Sequence, residues 1–201
     1  MTFSLPILGI VVACVWGLEW FLPRRASPFC TLAVLGLAAW KAARTGEWGF
    51  DRAAFGLALR RAAVFTAPAC AILLGAGAWR GSLHARDGML ADALYLVFWG
   101  GGQQFALQTV LLRESQQRFS RAGGIWVAAA VFGALHLPNP FLAPLTFVAA
   151  LAWCRIYDRH PNIVPLALSH AATTLAVLHA FEPGLTGRLR VGYGYLRLLR
   201  E

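Results

Sequence analysis

Two histidines stand inside apolar runs that read as helices, and imidazole is the side chain best suited to move a proton near neutral pH. His136 lies in Phe132-Gly133-Ala134-Leu135-His136-Leu137-Pro138-Asn139-Pro140. Phe132 and His136 are four residues apart and share a helix face. Pro138-Asn139-Pro140 is a turn signal that sets His136 near a helix end, within reach of a cavity or water. His170 lies in Val164-Pro165-Leu166-Ala167-Leu168-Ser169-His170-Ala171-Ala172-Thr173-Thr174. Thr174, one turn on, could orient the ring or donate to a developing oxyanion. It could equally bond its own backbone. Either histidine could instead serve packing through a hydrogen bond to a neighbouring helix. His179 reads as interfacial at a helix end, and His84 and His160 as solvated residues of charged loops.

A third polar cluster, Gln103, Gln104 and Gln108, occupies another apolar run just after Gly100-Gly101-Gly102. Gln104 and Gln108 are i, i+4 neighbours. Amides in hydrocarbon must find partners, so interhelical bonding is one role for them. The glycines let a backbone or a substrate approach closely. A carboxamide has no protonation equilibrium near neutral pH and cannot act as a general base.

The elements that must hold these residues follow from composition. The chain has 201 residues, 58% hydrophobic and only 13% charged, where a soluble domain carries about 25% charged. That points to an all-α polytopic membrane bundle forming a single domain over 1–201. Stretches near the length of a membrane helix run over Phe3–Leu22, Pro28–Trp40, Ala62–Trp79, Ala91–Leu112, Gly123–Leu137, Phe141–Ile156 and Ile163–Phe181. They predict about seven transmembrane helices, with the motif-bearing core at 91–181. Arg44–Arg61 reads as an amphipathic interfacial segment and Arg113–Arg121 as a basic break. A basic tail, 182–201, reads as lying on the membrane surface. Over seven spans Lys and Arg divide ten to eight between the two sides, so the positive-inside rule assigns no orientation.

The net charge of +9 and pI near 10.4 fit juxtamembrane arginines drawn to anionic lipid. Nucleic acid is not an expected partner, because no basic module interleaved with aromatics is present. Cys14, Cys30, Cys70 and Cys154 are far apart in apolar stretches, which indicates neither a zinc site nor a disulfide framework. The N-terminus lacks a basic n-region and reads as an uncleaved first helix.

A polar motif, then FxxxH, then HxxxN/D across successive helices resembles the CPBP family, also called Abi, of CAAX and bacteriocin-processing intramembrane proteases. Gln103-Gln104-Phe105-Ala106-Leu107-Gln108 matches the spacing of its EExxxR motif. Phe132 and His136 match FxxxH in full. His170 matches the third motif, with Thr174 at its Asn/Asp position. The resemblance covers about 100–181. It implies an integral membrane endopeptidase, in a bacterial inner (plasma) membrane, acting on membrane-anchored or hydrophobic peptides and proteins. His136 would activate water, Gln103 and Gln104 would position water or substrate, Gln108 would take the Arg position, and His170 with Thr174 would hold the oxyanion. The alternative is a catalytically silent relative that binds a hydrophobic peptide or partner in sorting, immunity or chaperoning. Two negative charges and one positive have become neutral together, which avoids a buried uncompensated charge. Asp92 and Glu114 are each eleven residues from Gln103, about 16 Å along a helix; only Glu19 is of uncertain reach. No cofactor is expected. Two histidines without a carboxylate or cysteine make an incomplete zinc set, so zinc at His136 and His170 is not expected.

Overall fold

The computed structural model describes residues 27–85 and 87–200 together with Gly9, Val12, Ala13 and Trp16. Over these the chain is all-helical: α1 Ser27–Thr45, α2 Phe55–Trp79, α3 Met89–Phe105, a π-helical segment Ala106–Leu112, α4 Arg113–Arg118, α5 Arg121–Ala134, α6 Leu142–Arg159, α7 Ile163–Ala180, α8 Pro183–Thr186 and α9 Gly192–Leu198. Extended pairing among the described residues is confined to an isolated antiparallel bridge between Phe50 and Asn162.

Two helices among the described residues, α2 and α7, are long and apolar enough to cross a membrane. They carry the third and seventh predicted spans. The second span falls on α1, the fourth on α3 and the π segment, the fifth on α5 and the sixth on α6. Of the first, Phe3–Leu22, only Gly9, Val12, Ala13 and Trp16 are described, and Glu19 lies outside.

The chain forms two compact units. The first holds the described residues up to Trp48, Phe105–Cys154 and 189–200. Here α1 packs on the π segment, with Ala38 and Val110 fully buried among Val34, Leu37 and Phe105. The sequence predicts one α-helix through Leu112; instead the helix widens at Ala106. Two carbonyls near this turn carry side-chain bonds: Lys41 Nζ donates to Thr109 O at 2.7 Å, and Thr109 Oγ1 donates to Phe105 O at 2.7 Å. The expected break after Arg113 is instead helix to Arg118, and the chain turns at Phe119. Ser120 caps α5 by accepting from Gly123 N at 3.0 Å. An ideal Cβ on Gly124 would sit 2.7 Å from Gln116 N, so α4 and α5 meet backbone to backbone.

The second unit holds the described residues of Gly49–Gln104 and Arg155–Arg188. Its body is α2 packed on α7. Gly77 permits the approach, since a Cβ there would lie 2.5 Å from Ala180 O. Thr66 Oγ1 donates to Ala62 O at 2.7 Å and so accepts from Ser169 Oγ at 2.6 Å. Asn162 starts α7: its side chain accepts from Val164 N at 3.0 Å and its amide donates to Asp51 O at 2.8 Å. The segment read as interfacial, Arg44–Arg61, divides between the end of α1, a short loop and the first turns of α2.

Candidate functional site

His136 follows the end of α5. The turn closes through His136 N to Gly133 O at 3.0 Å and Leu137 N to Ala134 O at 3.1 Å. The ring lies 4.9 Å from that of Phe132, tilted by 57°. Its Nδ1 bonds the Phe132 carbonyl at 2.7 Å. A carbonyl only accepts, so Nδ1 carries the proton and the neutral ring presents the Nε2 lone pair. The FxxxH spacing thus has a local meaning: Phe132 supplies both a ring contact and the acceptor that fixes the tautomer.

His170 sits on α7 and is 9% exposed. Gln104, fully buried on α3, places its Nε2 3.4 Å from His170 Nδ1. An amide nitrogen only donates, so in this pairing Nδ1 accepts and His170 carries its proton on Nε2. With the Gln104 amide so oriented, the two histidines take opposite tautomers. A Cβ on Gly100 would lie 3.2 Å from His170 Cβ and Cγ; the close approach predicted for the glycine run is occupied by this histidine.

The remaining candidates divide. Gln103 is half-buried, and its Oε1 is buried with no hydrogen-bond partner among the described residues. Gln108 is fully buried but lies within the π segment of the first unit. Thr174 is half-buried one turn beyond His170. The backbone bond weighed for it is made by Thr173, which donates to Ser169 O and His170 O at 3.0 Å each. His84 departs from the solvated reading. Its N–H donates to His179 O at 3.1 Å, His179 Nδ1 donates to His84 O at 3.1 Å, and both line an apolar groove of about 600 Å³ with Cys70, Leu74 and Met89.

Charge lies beside the π segment. Glu114, 5% exposed, pairs with Lys41, also 5% exposed, at 3.4 Å. Arg113 pairs with Glu47 and donates to Gln116 Oε1 at 3.2 Å. Burial pushes the Lys41 ammonium below its ordinary range, and Glu114 partly restores it. Glu114 is thereby committed to an ion pair. Among the described residues no three His, Cys, Asp or Glu side chains are grouped to hold a metal ion. Sequence reasoning missed two residues. Lys41 was visible only as the cation ending a predicted span, and Asn139 only as a turn residue, although Asn before a helix is a capping signal.

Residues 85–176 match the family model described as type II CAAX prenyl endopeptidase, Rce1-like. No curated relative and no solved structure matches the chain. The matched segment contains Gln103, Gln104, Gln108, His136, His170 and Thr174, and it supports the resemblance of the chain to the CPBP, or CAAX-protease, family.

Proposed function

We propose that this is a CAAX-type intramembrane endopeptidase-like protein acting on membrane-associated peptides, with His136 as the water-activating base and His170 as an oxyanion donor. The opposite tautomers carry the reading. Nε2 of His136 is an acceptor fit to take a proton from water. Nε2–H of His170 is a neutral donor fit for a developing oxyanion. Gln103 Oε1 is a buried acceptor suited to orient water or a substrate amide, and Thr174 is a second donor beside His170. The bundle of about seven spans, in a bacterial plasma membrane, belongs to the same reading. The largely unburied apolar surface of α2 supports it, as do Phe98 at 80% and Ile72 at 71% exposure.

One observation favours a second reading. Gln104 meets His170 as a neutral donor where the family motif has Glu, and an amide cannot titrate. A silent relative that captures a hydrophobic peptide is its consequence. Purified protein in lipid, given membrane-tethered peptides, separates the two. The first reading expects cleavage that His136→Ala and His170→Ala each abolish. Peptide capture without cleavage, unchanged by His136→Ala, would establish the second.

A further inference from the structure

The segment read as a surface tail is bound to the turn that carries His136. Gly192 N donates to Leu137 O at 2.8 Å. Asn139 Nδ2 donates to Arg190 O at 2.9 Å. The other end of the same amide is also engaged: Oδ1 accepts from Phe141 N and Leu142 N at 3.0 Å each and so starts α6. Asn139 has no exposed surface, and its N–H donates to the His136 carbonyl at 3.1 Å. The turn Leu137–Asn139 is thus closed on one side by α6 and on the other by Arg190–Gly192. The chain reaches this contact through a left-handed run, with φ of 59° at Gly187, 53° at Arg188 and 55° at Leu189. Arg and Leu rarely adopt such φ, and strained backbone persists where surrounding contacts over-determine it. Gly192 has φ 54°, where glycine alone is at ease.

We propose that Arg190–Gly192 is a positioning strap for His136, with Asn139 as the residue that transmits it. By fixing the turn, the strap keeps the imidazole on the Phe132 carbonyl and so holds the proton on Nδ1. Only the catalytic consequence rests on the proteolytic reading.

The test is ¹⁵N NMR of histidine-labelled full-length protein in lipid nanodiscs. Asn139→Asp keeps the Oδ1 cap on α6 and removes the donor to Arg190. Gly192→Pro removes the donor to Leu137 and, by fixing φ at about −65°, also the left-handed turn that presents it. The wild type should show His136 as the Nδ1–H tautomer. Each variant should turn that signal into a tautomer mixture, leaving those of His84, His170 and His179 in place. An unmoved His136 signal in both variants overturns the strap. So does a common shift of all the histidines, which would mark a general role in folding. No cleavage enters the readout, so the strap and the protease reading fail separately.

Discussion

At the scale of the residue, chemistry turns on what each imidazole is bonded to. His136 meets a backbone carbonyl; His170 meets an amide. Replacing that amide by a carboxylate reverses the demand, because a carboxylate only accepts. Gln104→Glu is therefore expected to move the His170 proton from Nε2 to Nδ1, read as an exchange of the two ring ¹⁵N shifts. Unchanged shifts would mean that Gln104 does not set the tautomer. The sequence shows which residues matter here, because histidine and glutamine are conspicuous in apolar runs. It does not show the tautomers, which depend on atoms 4 and 66 residues away in the chain.

At the scale of the element, two packing devices carry the units. Lys41 is nearly buried and bonds both Glu114 and the Thr109 carbonyl. Lys41→Met leaves Glu114 buried without its cation, which costs about 3–5 kcal/mol. Thermal unfolding should show the loss, and adding Glu114→Met should recover much of it, since buried pairs are often replaceable by apolar groups. A single variant as stable as wild type would remove Lys41 from this role. In the other unit, Gly77→Ala drives a Cβ against the Ala180 backbone; such overpacking costs about 1–3 kcal/mol. An unaltered melting temperature would show that α2 and α7 part easily. Apolar length located α7 at its first residue and within one residue at its C-terminus. It did not separate the π turn from the α-helix within Ala91–Leu112, where Thr109 O accepts from Lys41 Nζ, 68 residues away in the chain.

At the scale of the molecule, the composition predicts a membrane protein, and the family match with two long apolar helices agrees. The chain is expected to stay with the membrane fraction after alkaline carbonate extraction; release into the supernatant would contradict a spanning bundle. The central claim of the proposed function is that His136 acts as the water-activating base. Its most direct test is a cycle of cleavage rates for wild type, Gln103→Glu, His136→Ala and the double variant on one membrane-tethered peptide. A general-base contribution is worth about 10²- to 10⁴-fold. The account predicts a gain of that order in Gln103→Glu and its complete loss when His136→Ala is added. A gain that survives His136→Ala, or no gain at all, would contradict it.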